Sequence, residues 1–143
     1  MPNWCQNEIR VSGSEDKVKE FMDFVKSDEQ NFDFNSIVPM PKTIFKGALG
    51  EKERKKYGSL NWYDWSCSNW GTKWNACNVS VEYNPEYGDE VEYYFNTAWS
   101  PPEKIFIKLR DKFKLDKEDS ELFISWFYRE DGMEFSGYLQ NEV

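Results

Sequence analysis

The chain has 143 residues, of which 39% are hydrophobic, 18% aromatic and 31% charged, with a net charge of -8. A chain of this length holds one domain, with enough residues for a core that needs no disulfide or metal staple. Histidine is absent, which removes imidazole bases, histidine metal ligands and histidine proton switches, and the acidic balance disfavours direct nucleic-acid binding, which tracks phosphates with basic surface.

The 7 Trp, 8 Tyr and 11 Phe argue against disorder, despite a mean hydropathy of -0.83. No apolar run is long enough for a membrane span, and the first residues show neither the basic nor the apolar region of a secretory signal. Cys5, Cys67 and Cys77 are an odd set without a CxxC pair, as expected for free thiols in a reducing cytoplasm.

The pattern from Trp4 to Val11 predicts a strand, with Cys5, Asn7, Ile9 and Val11 on one face. A helix follows, capped by Ser12 or Ser14, with Val18, Phe21, Met22 and Val25 as its apolar stripe. Residues 32–41, with Pro39 and Pro41, read as extended chain. Glu51 to Tyr57 reads as a short charged helix stopped by Gly58, and Asn61 as the cap of another that carries Trp62 and Trp65. Two alternating strands come next. Cys77, Val79, Val81 and Tyr83 face inward in the first, and Val91, Tyr93, Phe95 and Thr97 in the second. Ser100 and Glu103 form a capping box around Pro101 and open a helix with Ile105, Phe106, Leu109 and Phe113 on its buried stripe. Leu122 to Tyr128 is apolar on both faces and reads as an interior strand. A turn at Asp131-Gly132 leads to a last strand, where Gly137 marks a bulge.

The order β-α-(insertion)-β-β-α-β-β predicts an α+β fold. It is a ferredoxin-like split βαβ sandwich with a mostly antiparallel sheet, two main helices and a Trp-rich insertion over about residues 28–74, all in a single domain spanning 1–143.

Several long motifs carry a family resemblance: Asn3-Trp4-Cys5-Gln6-Asn7, Phe34 to Pro41, Trp62-Tyr63-Asp64-Trp65, Asn69 to Ala76, and Thr97 to Pro102. In these the chain resembles the YubB-like proteins of phages and plasmids. That family is assigned a ferredoxin-like domain and no biochemical activity. The resemblance implies the same fold and a mobile-element origin, and carries no catalytic residue with it.

The predicted topology sorts the loops between two ends of the sheet. One end receives Glu82, Glu86, Asp89, Glu90 and Glu92 with no base among residues 82–92, and Asp116, Glu118, Asp119 and Glu121 against Lys117. This acidic patch is either a solvated surface that resists aggregation or a face that meets a basic partner. The other end receives Trp4, Trp62, Trp65, Trp70, Trp74 and Trp99. These form either a satellite core beneath the insertion or, in part, a groove. In the groove reading Asn3, Asp64, Asn69, Thr72, Lys73, Asn75 and Thr97 supply polar groups among Trp4, Trp70, Trp74 and Trp99 for a nucleotide-like, flat anionic ligand or a peptide. Trp70 and Trp74, flanking Gly71-Thr72-Lys73, are the groove candidates, and Trp62 and Trp65 the core ones.

Asp64 and Lys73 are the only charged residues in the Trp-rich segment, and a salt bridge between them is the ordinary expectation. An enzyme using Asp64 as base and Lys73 as electrophile is the weaker alternative. No cofactor or metal is expected. The functional expectation is a non-enzymatic interaction protein of a phage or other mobile element. It acts on a host protein in the host cytoplasm through protein–protein contacts, counter-defence being one such role. The alternative is a protein that binds or sequesters a nucleotide-like ligand at the Trp end.

Overall fold

The computed structural model describes residues 3–140. Five strands form one sheet: β1 (Trp4–Gly13), β2 (Cys77–Tyr83), β3 (Glu90–Ala98), β4 (Leu122–Glu130) and β5 (Phe135–Leu139). The strand order is β2-β3-β1-β4-β5 and every neighbouring pair is antiparallel. The first four strands have the split βαβ arrangement, and β5 extends the sheet beyond β4. The ferredoxin-like α+β fold expected from the chain is present.

The two main helices, α1 (Glu15–Val25) and α5 (Glu103–Phe113), supply the crossovers. Ser14 caps α1 by accepting from the Lys17 amide. The helix buries Val18, Phe21 and Val25, and α5 buries Ile105, Phe106, Leu109 and Phe113, all against the inner sheet face. Ile9, Val11, Val91, Tyr93, Phe95, Ile124 and Trp126 line that face. Phe32 joins them, its ring stacked on Phe95 at 4.9 Å and edge-on to Trp126 at 6.1 Å. Such aromatic pairs add directional preference to the area they bury.

Between α1 and β2 lie three short helices: α2 (Phe34–Ile37), α3 (Glu51–Tyr57) and α4 (Trp62–Asn69). Here the first departure from expectation occurs. The residues read as extended chain contain a helical turn, because Asp33 accepts from the Asn35 amide and starts α2. The prolines still hold the chain extended after Val38. Asn61 caps α4 as expected, accepting from the Asp64 amide at 2.9 Å.

Three further local expectations are corrected. Ser100 does not cap α5; the N-cap is Pro102, and Ser100 Oγ instead donates to the Gly71 carbonyl at 3.1 Å. Asn78 has φ 53° and sits in a bulge, so Cys77 pairs with Asn96 and leaves the inward register of Val79, Val81 and Tyr83. Gly137 is no bulge. It pairs in register with Tyr128, and a Cβ there would meet the Tyr128 hydroxyl at 2.8 Å, so the glycine makes room for that ring. β4 does lie inside the sheet order, between β1 and β5, yet Phe123 on its outer face is 60% exposed.

Candidate functional site

The turns after β1, β2 and α5 meet at one end of the sheet. The Gly13 amide donates to the Asp89 carbonyl at 3.1 Å and the Ser14 amide to the Glu121 carbonyl at 3.3 Å. Glu86, Asp89, Asp116, Glu118, Asp119 and Glu121 are exposed there. Glu82, Glu90 and Glu92 belong instead to the outer face of β2 and β3, with Glu82 directly opposite Glu92. The acidic surface therefore bends from the end of the sheet onto its open face.

The sequence reading assigned no site to that open face. It carries Glu8 and Arg10 from β1, Glu92 and Tyr94 from β3, Ser125 and Phe127 from β4, and Tyr138 from β5, around a hollow of about 290 Å³. Arg10 pairs with Glu90 at 3.1 Å and with Glu92 at 2.9 Å. The Tyr94 hydroxyl donates to Glu92 Oε2 at 2.6 Å. This bond pushes Tyr94 up to about 12, and it is the largest influence holding Glu92 below its ordinary value, with Arg10 adding to it. The available signal was the apolar outer side of β4, which was read as interior strand.

At the opposite end the structure divides the expected tryptophan groove. Trp70 is 4% exposed and belongs to the main core. Its ring lies edge-on to Phe34 at 5.6 Å and to Trp65 at 5.3 Å, and its Nε1 donates to the Val38 carbonyl at 2.9 Å. The expectation of Trp70 as a groove residue is overturned. Trp65, expected as core, is half-buried and packs against it, whereas Trp62, also expected as core, is half-buried outside it and its Nε1 donates to the Gly47 carbonyl.

The polar groups expected to converge on a ligand are committed within the chain. Thr97 is fully buried, donates to the Ser100 carbonyl at 2.6 Å and accepts from Asn7 at 3.0 Å. Thr72 donates to the Ala98 carbonyl at 2.8 Å. Asn75 accepts from the Phe34 amide and donates to Asp33, pinning α2 to the start of β2. Asn69 donates to the Trp65 carbonyl within α4. Asp64 accepts from Asn61 Nδ2 at 2.7 Å. The expected Asp64–Lys73 salt bridge is not formed, because Lys73 Nζ lies over the Trp74 ring at 4.5 Å.

What remains together is smaller. Trp4 and Trp74 are half-buried with ring centroids 6.0 Å apart. Trp99, 46% exposed, follows Ala98, the residue opposite Trp4. The Trp99 amide donates to the Asn3 carbonyl at 2.9 Å, and its φ of 72° is rare for a bulky residue. Trp4, Trp74 and Lys73 thus form a small surface patch, with Trp99 tied to it through the Asn3 backbone, and the Asn3 side chain lies instead against Gly132 of the β4–β5 turn.

Two buried groups near this end are structural. Glu130, 1% exposed, accepts from the amides of Gly132 and Met133 at 2.6 and 2.8 Å and so fixes the β4–β5 turn. Burial pushes the Cys5 thiol up to about 11, with Glu130 adding to the rise and a Thr97 hydrogen bond opposing it. Among the described residues, no group of three or more Cys, Asp or Glu is placed to hold a metal ion, and no helix is long and apolar enough to cross a membrane.

No curated protein and no solved structure matches the chain. A family model does: the ferredoxin-like domain in Api92-like protein matches residues 69–140, from the end of α4 through α5 and the last four strands. The chain, with its β2-β3-β1-β4-β5 sheet, belongs to that ferredoxin-like domain family.

Proposed function

We propose that the protein is a non-enzymatic interaction module that meets a basic protein surface through its acidic end and the adjoining part of the open sheet face. The observation that carries this reading is the joining of the acid-bearing turns by the Gly13–Asp89 and Ser14–Glu121 backbone bonds. Those bonds bring the turns that carry these carboxylates to one end of the sheet, and like charges gathered this way steer an oppositely charged partner. The likeness of its motifs to the YubB-like proteins of phages and plasmids extends the reading. In that extension the chain comes from a mobile element and acts on a host protein in the host cytoplasm, countering host defence.

The test is capture of partners from host lysate by the wild-type chain and by the triple variant Glu86→Lys, Asp89→Lys, Glu90→Lys. A partner is expected whose association slows as salt rises and which the triple variant no longer retains. A partner whose on-rate ignores both changes overturns the reading.

The second reading is ligand binding at the Trp4–Trp74–Trp99 patch, favoured by the Lys73 ammonium over the Trp74 ring and by the exposed Trp99 indole. Native mass spectrometry separates the two. A retained flat anionic molecule, lost in Trp99→Ala, supports the patch.

A further inference from the structure

We infer that the hollow on the open sheet face is a receptor for an arginine side chain, presented by a basic segment of a partner protein. The inference rests on the interaction reading above and assigns the contact it leaves open. On β1 Glu8 stands directly across from Tyr94 of β3 on one side and from Phe127 of β4 on the other. The Phe127 ring is in turn tilted against Tyr138 at 5.2 Å. A carboxylate is therefore walled by aromatic rings in a hollow on the solvent-facing side of the sheet. Among the described residues Glu8 has no ion pair and no side-chain hydrogen bond.

The positive charges of this face are already matched internally. Arg10 is held by Glu90 and Glu92. Arg129 bonds to Gln6 at 2.7 Å and to Asp131 at 3.1 Å. The charge left over is negative, at Glu8 and at Glu82 opposite Glu92. Charge complementarity therefore selects a cationic occupant and disfavours a phosphate backbone. The rings select among cations. A guanidinium is planar, stacks on aromatic faces and forks onto a carboxylate, whereas an ammonium is a compact, strongly hydrated point charge. Arg10, gripped by Glu90 and Glu92, shows the carboxylate half of this recognition on the same face.

The probe is N-acetyl-arginine amide, titrated into the full chain and followed through backbone amide NMR shifts. Saturable shifts centred on Glu8, Tyr94, Phe127 and Tyr138 are expected. The uncharged isostere N-acetyl-citrulline amide is expected to give none. Glu8→Gln and Phe127→Ala are each expected to weaken binding at least about threefold, while Glu29→Gln, which removes an equal charge from an exposed loop, leaves it unchanged. Two substitutions of different chemistry keep the test open if one of them disturbs the sheet. Shifts that never saturate, that follow the turns at 84–90 and 115–121, or that persist in Glu8→Gln overturn the site. So does a single-stranded oligonucleotide that binds the same residues more tightly than the arginine probe. Partner loss in the triple lysine variant without guanidinium binding at Glu8 removes this site and leaves the acidic-end reading standing.

Discussion

Trp126 Nε1 donates a 3.0 Å hydrogen bond to Asn7 Oδ1 in the middle of the sheet. Both residues are buried, and Asn7 in turn donates to Thr97 Oγ1 at 3.0 Å and to the Cys5 carbonyl at 3.2 Å. The network ties β1, β3 and β4 together through side chains as well as through the ladder. Asn7→Leu leaves the indole N–H without its acceptor inside the protein, which predicts a loss of about 2–3 kcal/mol. Equilibrium unfolding in urea measures it, and a loss under about 1 kcal/mol would mean that the indole finds another acceptor.

The two tryptophans flanking Gly71-Thr72-Lys73 are expected to behave differently. Trp70→Ala opens a cavity in the main core and is expected to cost about 3–5 kcal/mol. Trp74→Ala, at a half-buried surface position, is expected to cost less than about 1.5 kcal/mol. Denaturant midpoints of the two single variants decide it; equal losses would place Trp74 in the core as well.

Gly71 and Ser100 join the end of α4 to the start of α5. Ser100→Ala removes one hydrogen bond to the Gly71 carbonyl, an expected cost of about 0.5–1.5 kcal/mol. Gly71→Ala is expected to cost more. Its φ is 82°, and a Cβ there would stand 2.9 Å from the Glu103 amide nitrogen and 3.0 Å from that of Lys104. The left-handed backbone alone contributes about 1–3 kcal/mol. Thermal unfolding of both variants gives the order, and a milder loss for Gly71→Ala contradicts the close approach.

The Tyr94–Glu92 hydrogen bond sets a pH dependence at both extremes. Tyr94 ionises near 10.0 when free and at about 12 here, so the stability it lends is complete below 10.0 and lost as pH rises through about 12. The Glu92 carboxyl lies below its ordinary 4.5, so its contribution is present above that value and lost as pH falls further. In Glu92→Gln the Tyr94 hydroxyl is expected to ionise nearer to 10.0. Ring signals of Tyr94 followed by NMR to about pH 11 report it, and signals identical in wild type and variant would deny the bond.

The alternation in β1 and β3, the stripes of α1 and α5, and the Asn61 cap were all legible in the sequence, because each is dictated by neighbours in the chain. The order of those elements pointed to the split βαβ sandwich, but the place of β5 beside β4 was not legible in it. The α2 turn was hidden because the prolines at 39 and 41 argue for extended chain, while the Asp33 cap acts five residues before Val38, the first residue they constrain. Ser100 was misread for a related reason. Its motif satisfies every local rule for a cap, but Gly71, 29 residues away, takes its hydroxyl. The tryptophan end resisted most. Whether an indole lies in the core or at the surface depends on Phe34, Val38 and Trp4, which come from other segments. Spacing within 62–76 therefore carried no information about Trp70 as against Trp74. The open face was concealed by the same period-two logic that revealed the strands: Phe123 and Phe127 are apolar, so they were assigned to an interior that β4 occupies in strand order only.

β1 is the first strand in the chain and the middle of the sheet, with residues 4–13 flanked by β3 at 90–98 and β4 at 122–130. On a ribosome it would emerge long before either neighbour. Its alternating Cys5, Asn7, Ile9 and Val11 must then wait for residues 90–98 and 122–130 before they have a strand to pair with. Loop closure over such separations precedes any reward from pairing, so folding of this chain is expected to be slow and concerted, with little stable structure in fragments that end before β4. Until then both edges of the central strand are unpaired, the kind of surface that promotes aggregation in partly folded chains.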